Sequence, residues 1–228
     1  KQCLVGSEMC IRDRVWGADP QRSWHVQCWL GVFPVHWRQL PDPSFLNQQI
    51  ASIKTCLDGS YEELLVAMVQ DPALQISLNG LANHRRKPNE NFARELLELF
   101  SVGAGGFSEQ DVSEAARALT GFRMNASRHL VLQSRRHDGG LKTILGRSDR
   151  FDPIGLVRWL TQQPSTAKHI AFRVWRQVIG TVPSPVRLLQ LAHSWQKQDL
   201  SLPWLMDTLL SSSEAEISLR KGHKLADP

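Results

Sequence analysis

"RRKPNENFARELLELFSVGAGGFSEQDVSEAARALTG", residues 85–121, predicts two consecutive amphipathic helices. In its first half the apolar residues recur at i, i+4, i+7 and i+8, which is the spacing of one helix face. These residues are Phe92, Leu96, Leu99 and Phe100. Gly103 is suited to end this first helix, and Gly121 the second, because glycine accepts a left-handed backbone. Ser108 followed by Asp111 is a capping pattern for the start of the second helix.

Similar start and stop signals run through the rest of the chain. Ser60 with Glu63 forms a capping-box pattern, and Asp71-Pro72, Asp152-Pro153 and Ser184-Pro185 each predict a helix start. Residues 126–146 have a different pattern, with the alternating "HLVLQ", the turn "DGG" and then "LKTILG". We therefore predict a mainly α, single multi-helical globular domain, with a small β-hairpin or irregular insertion near 126–146.

Composition excludes several classes of protein. The chain has 228 residues, 42% of them hydrophobic and 21% charged, which suits a globular core and argues against long disorder. The formal charge of +5 is mild and comes without a readable nucleic-acid motif, so no nucleic-acid partner is expected. No apolar run approaches the length of a transmembrane helix.

The first residues stand apart from the rest. "KQCLVGSEMCIRDR", residues 1–14, lacks apolar periodicity and resembles a translated sequencing-adapter read. We expect it to be artefactual, and residues 15–228 to form a truncated helical domain. Cys28 and Cys56 then remain, which is compatible with one disulfide or with two thiols.

A row of charges lies beside the apolar face of the first helix in the opening stretch. Arg94 is four residues from both Glu90 and Glu98, so it could bridge the two carboxylates. Glu95 is placed toward the edge of the apolar face. Two interpretations stay open: a solvated surface ladder, or a partly buried network that anchors a site. Asn89 can cap the helix or help to hold an anion there.

Two further regions carry candidate chemistry. In "RRHDGGLK", residues 135–142, His137 and Asp138 could act as a base with its orienting group, as a metal-ligand pair, or as turn residues, with Lys142 close by as a candidate binding group. His36 is a candidate binding residue or an ordinary core histidine. The established enzyme and zinc motifs are absent, so no metal or cofactor is predicted by name.

Several long stretches resemble one protein family. They are "PNENFARELLELFSVGAGGFSEQDVSEAARALTGF" (88–122), "HDGGLKTILGR" (137–147), "FDPIGLVRWLTQQPSTAKHIAFRVWRQVI" (151–179), "YEELLVAMVQDPALQISLNG" (61–80) and "LLSSSEAEISLRKGHKLADP" (209–228). Together they closely resemble the bacterial family called domain of unknown function 1800. The resemblance implies a helical protein longer than this chain at both ends, exported in its full-length form, and often encoded beside a sulfatase-like partner. It implies a fold and no mechanism.

One position departs from the family pattern. The family tends to carry an aromatic-Trp-His-x-His-Phe motif, whereas this chain has "VFPVHW", residues 32–37. Pro34 stands at the first histidine position and His36 at the second. If the family uses both histidines as metal ligands, this chain has lost one of them.

Two functions follow as hypotheses. The first is an exported accessory or binding protein that acts with the sulfatase-like partner on a surface polymer. The second is a hydrolase of an extracellular polymer, metal-assisted or acid/base, with catalytic candidates Glu90, Glu98, His137 and Asp138. Convergence of the candidate residues in one cleft would favour the second hypothesis.

Overall fold

The computed structural model describes residues 20–220, without the side chains at 20, 219 and 220. The prediction on residues 1–14 therefore lies outside the described residues. The described helices are α1 (Pro20–Val32), α2 (Ser44–Cys56), α3 (Tyr61–Val69), α4 (Pro72–Ser77), α5 (Asn91–Glu98), α6 (Glu109–Ala118), α7 (Pro153–Thr161), α8 (Pro164–Val178), α9 (Pro185–Gln196), α10 (Leu202–Leu210) and α11 (Ser213–Arg220). Short 3-10 turns lie at Trp37–Gln39 and Gly80–Ala82.

The mainly α prediction is confirmed, and the helix starts follow the predicted caps. Both capping boxes form, with Ser60 accepting from the Glu63 N–H and Ser108 from the Asp111 N–H. Asp71 and Asp152 cap α4 and α7 with a proline in the first helical turn. These caps satisfy backbone N–H groups that the first turn of a helix leaves without partners.

The non-helical insertion is real but wider than 126–146. It consists of two antiparallel hairpins, β1 (Phe122–Met124) with β2 (Leu130–Leu132), and β3 (Lys142–Ile144) with β4 (Arg147–Asp149). "HLVLQ" and "LKTILG" therefore belong to different hairpins. Each strand has three residues, too short for alternation of apolar and polar residues to reveal its partner.

The core sits where α1, α3, α5, α8 and α9 meet. Tyr61 lies at its centre, with ring centroids 5.8 Å from Trp29, 6.3 Å from Phe33 and 5.9 Å from Trp195. An antiparallel bridge between Ser60 and Ser201 ties the starts of α3 and α10 together. No described helix combines the length and apolar character that crossing a bilayer requires.

The two cysteines of the core region are free thiols. Cys28 is buried in α1 and Cys56 is partly buried at the end of α2. Burial raises the pKa of the Cys28 thiol to about 12, so it stays protonated at neutral pH.

Candidate functional site

Arg94 does not bridge Glu90 and Glu98. Its guanidinium pairs with both carboxylate oxygens of Glu109, at 2.9 and 2.7 Å, and lies 3.6 Å from the Glu90 carboxylate. Glu98 makes no ion pair with it within 4.0 Å. The prediction was half wrong because Glu109 starts α6, and packing of α6 against α5 brings a bidentate partner that spacing within one helix cannot show.

The Asn89 side chain makes a local turn just before α5. Its side-chain oxygen accepts from the Asn91 N–H at 3.0 Å, and its own N–H donates to the Asn83 side chain at 3.0 Å. Asn83 also donates from its side chain to the Ala116 carbonyl at 2.8 Å, which joins the start of α5 to α6. The polar groups at this helix start are therefore used by the fold.

His137 and Asp138 point to different partners, so they do not form a base with its orienting group. The His137 Nδ1–H donates to the Thr120 carbonyl at 2.9 Å. The Asp138 carboxylate accepts from Arg117 at 2.7 Å and from the Gly140 N–H at 2.9 Å. The Arg117 hydrogen bond lowers the pKa of Asp138, which keeps this carboxylate ionised and makes it unsuited to proton transfer near neutral pH.

Lys142, a predicted binding candidate, is buried and bonded to the backbone. Only 1% of its surface is exposed. Its ammonium donates to the carbonyls of Asp138, Gly140 (3.0 Å) and Phe151 (2.9 Å), which uses all of its three donors. Burial lowers its pKa. A lysine held in this way joins the turn before β3 to the start of α7.

His36 and Glu95 are the predicted residues that the fold brings into one pocket. The pocket, about 210 Å³, lies between the chain after α1 and the last turn of α5, and the other lining residues are Pro34, Val35, Leu78, Leu99 and Phe100. The His36 backbone N–H donates to the Ser77 hydroxyl at 2.6 Å, which fixes this segment against α4. The pocket is thus mostly apolar, with one imidazole and one carboxyl group, a composition typical of ligand sites.

The other candidates lie outside this pocket. Glu90, Glu98, His137, Asp138 and Lys142 are not among its lining residues. Pro34 does line it, so the position where the family tends to carry a histidine faces the same pocket as His36 and Glu95. Within residues 20–220, no group of three or more His, Cys, Asp or Glu side chains is placed to hold a metal ion.

Two functional candidates on α8, His169 and Arg173, were not predicted from the sequence. The Arg173 guanidinium donates to the Leu99 carbonyl at 2.6 Å and to the Gly31 carbonyl at 3.4 Å, so it joins the ends of α5 and α1. His169 also hydrogen-bonds to the Leu99 backbone, and its Nε2 is buried without a partner in the described structure. The sequence feature that could have pointed to these two residues is their i, i+4 spacing beside the apolar face of α8.

Burial and neighbouring charges shift the pKa values of Glu95 and His169. Burial, with a smaller effect from Glu98, raises the pKa of Glu95. Burial, followed by the nearby Arg173 charge, lowers the pKa of His169. Both shifts favour the uncharged form of the group, which is the direction found for titratable groups in sites that exchange protons. The end of α5 therefore brings a carboxyl and an imidazole with shifted pKa values into the same part of the described molecule.

The fold and the pocket define a mainly helical protein with a small two-hairpin insertion and an acid–imidazole pocket at a helix end. The chain belongs to the family described as protein of unknown function (DUF1800), whose model matches residues 6–228. The match begins inside the stretch that was set apart at the N-terminus. No curated protein and no solved structure matches the chain.

Proposed function

We propose that this protein is a binding protein for a surface polymer, exported as an accessory to a sulfatase-like partner. The observation that carries the proposal is the pocket of His36 and Glu95, with an exposed aromatic residue next to His36 in the chain. Trp37 follows His36 directly and remains 45% exposed, with the Arg38 guanidinium 5.2 Å from its ring centroid. Export and the sulfatase-like partner enter from the family resemblance.

The pocket suits a sugar better than a purely apolar ligand. An exposed indole offers a flat apolar face on which a sugar ring can stack. The Glu95 carboxyl and the His36 imidazole offer hydrogen bonds to the hydroxyl groups of a sugar. Val35 and Leu78 give the pocket an apolar wall. A chain end or a projecting sugar unit of a polymer matches this combination.

The fate of the predicted catalytic residues also supports binding over hydrolysis. The Asp138 carboxylate forms an ion pair with Arg117, and the Glu90 carboxylate lies near Arg94 on the surface. Neither carboxylate is directed into the pocket of His36 and Glu95. A hydrolase built on those residues would need two groups on opposite sides of one scissile bond.

One observation favours the second hypothesis, acid/base hydrolysis of an extracellular polymer. Burial raises the pKa of Glu95, which is the direction expected of a general acid that protonates a leaving oxygen. His36, in the same pocket, would act as the base that activates water. The residues of this alternative are therefore Glu95 and His36 instead of the four predicted catalytic candidates.

One experiment separates the two functions. Binding and release of reducing ends are measured on dextran, dextran sulfate, alginate and chitosan with the purified chain and its variants W37A, H36A and E95Q. We expect W37A and H36A to weaken binding of at least one polymer by about tenfold, equal to about 1.4 kcal/mol, without any release of reducing ends. Release that E95Q abolishes would establish the hydrolase instead.

The matched control is H193A, which removes an exposed histidine of α9 that does not line the pocket. Circular dichroism confirms that each variant is folded. If W37A, H36A and E95Q all bind every polymer as H193A does, the pocket with Trp37 is not the binding site and the proposal is wrong.

A further inference from the structure

Two basic loops that are far apart in the chain meet on the surface. The first is "HRRK", residues 84–87, before α5, and the second is "RRH", residues 135–137, after β2. They are joined directly, because the Arg85 N–H donates to the Arg136 carbonyl at 3.1 Å. The basic side chains of the two loops, called here the basic surface, are Arg85, Arg86, Lys87, Arg135 and Arg136.

The cations of the basic surface are exposed and have no acidic partners. All of them are exposed, and no carboxylate within residues 20–220 lies within 4.0 Å of their charged groups. The acidic residues nearest to them along the chain, Glu90 and Asp138, are taken by Arg94 and Arg117. The loops are held together through the backbone, so the fold makes no use of these charges.

Arg123 extends the positive charge onto the neighbouring hairpin. It pairs across β1 and β2 with Val131, and both residues are exposed. The end of β2 continues directly into the second loop, where the Gln133 N–H donates to the Gly121 carbonyl at 2.9 Å. Positive charges that lie close together without counter-charges repel each other. An anionic partner bound to the basic surface would relieve this repulsion.

The side-chain chemistry narrows the class of partner. Arginine predominates in the basic surface, and its planar guanidinium binds sulfate, phosphate or carboxylate through two parallel hydrogen bonds. Neither loop contains phenylalanine, tyrosine or tryptophan, whereas single-stranded nucleic acid is commonly bound by stacking on such rings. The loops also lack the tryptophan or phenylalanine that enters a lipid interface.

We propose that the basic surface binds an anionic polysaccharide through its sulfate or carboxylate groups. The inference rests on the proposed polymer-binding function and adds the charge class of the polymer to it. Clusters of arginine and lysine occur in heparin-binding patches as well as in nucleic-acid-binding ones. The pocket of His36 and Glu95 would hold a sugar unit, and the basic surface would hold the charged chain.

The test compares the double reversal R135E/R136E with a control, R150E/K197E, which changes the net charge by the same amount. Arg150 and Lys197 are exposed and have no acidic partner within 4.0 Å among the described residues. Dextran sulfate is the charged probe, and uncharged dextran of equal length is the neutral one. We expect R135E/R136E to lose about tenfold or more in affinity for dextran sulfate, and the control to lose less than about twofold.

Wild-type binding should also weaken as salt rises, and neutral dextran should not compete. Equal affinity of the two double mutants for dextran sulfate would overturn the inference, while the W37A and H36A results decide the proposed function separately. Tighter wild-type binding to single-stranded DNA or to phosphatidylglycerol vesicles than to dextran sulfate, lost in R135E/R136E, would overturn it in favour of those partners. If R135E/R136E does not fold, R86Q/R135Q takes its place, with R150Q/K197Q as the control of equal charge change.

Discussion

The Asp71 carboxylate caps a helix and is at the same time buried away from water. Its Oδ1 accepts from the Leu74 N–H at 2.9 Å and so starts α4, as the Asp71-Pro72 pattern predicted. Only 1% of the residue is exposed, and its Oδ2 is buried without a hydrogen-bond partner. Burial raises its pKa from 3.8 to about 7, because the charged form loses its hydration.

The raised pKa of Asp71 predicts a pH dependence of stability. When the folded pKa of a carboxyl is raised, the unfolded chain releases its proton first, so the free energy of unfolding falls as pH rises from about 4 through 7. A tenfold difference in proton affinity between the folded and unfolded states corresponds to about 1.4 kcal/mol. We expect D71N to flatten this dependence and to be more stable than the wild type at pH 8, because an asparagine oxygen can still cap α4.

Urea denaturation at pH 5 and pH 8 measures the difference between wild type and D71N. D152N is the matched control, because Asp152 caps α7 through the Gly155 N–H at 2.7 Å but is exposed. A D71N protein that keeps the full pH dependence of the wild type would contradict the assignment to Asp71.

At the scale of elements, α6 holds the second hairpin through its acidic side chains. Asp111 accepts from the Leu145 N–H at 2.7 Å, and Glu114 accepts from the Thr143 N–H at 3.3 Å. Arg117 then reaches the turn before β3 through Asp138 at 2.7 Å. The buried Lys142 ammonium donates to backbone carbonyls in the same turn and at Phe151, just before α7. Asp138 and Lys142, which were candidate site residues in the sequence, therefore help to attach the second hairpin to the helices. Its three-residue strands could not be stable alone.

Removing the Lys142 ammonium should therefore destabilise the fold without affecting a binding site. In K142M three backbone carbonyls lose a charged donor, and we expect a loss of roughly 2–4 kcal/mol in the free energy of unfolding. K197M, at an exposed position of the chain, should change it by less than about 0.5 kcal/mol. Urea denaturation measures both values. A K142M protein as stable as K197M would show that the ammonium has another role.

At the scale of the whole molecule, Tyr61 connects elements from both halves of the chain. Besides its contacts with Trp29, Phe33 and Trp195, its hydroxyl donates to the Phe100 carbonyl at 2.7 Å just after α5. The pocket of His36 and Glu95 includes Phe100, so the core directly supports the wall of the candidate site. Phe33 and Phe100 also touch, with ring centroids 5.0 Å apart.

Tyr61→Phe tests this connection with the smallest possible change. The variant leaves the Phe100 carbonyl buried without its donor, and we expect a loss of about 1–2 kcal/mol in the free energy of unfolding. Thermal denaturation should show a fall in Tm of a few degrees. F172L, on a partly buried side chain of α8, is the control for a general loss of aromatic packing. An unchanged Tm in Tyr61→Phe would mean that this hydrogen bond contributes nothing to stability.

The sequence by itself determined where several helices begin, whereas α5 ends at Glu98 and α6 at Ala118, before the predicted stops at Gly103 and Gly121. The boxes at Ser60 and Ser108 and the caps at Asp71 and Asp152 form as predicted, because each is satisfied by backbone groups within three residues. Such local interactions need no knowledge of the rest of the chain. The family resemblance was also carried by the sequence alone, through long contiguous stretches.

The tertiary structure alone decided the partners of the long charged side chains. Arg94 pairs with Glu109 instead of Glu98, Lys142 lies inside, and the basic surface forms from two distant loops. The pairing of His36 with Glu95 in one pocket, and of His169 and Arg173 with the end of α5, likewise depends on how helices cross. Spacing along a chain orders neighbours within one helix, whereas burial and partner choice are set by elements that only folding brings together.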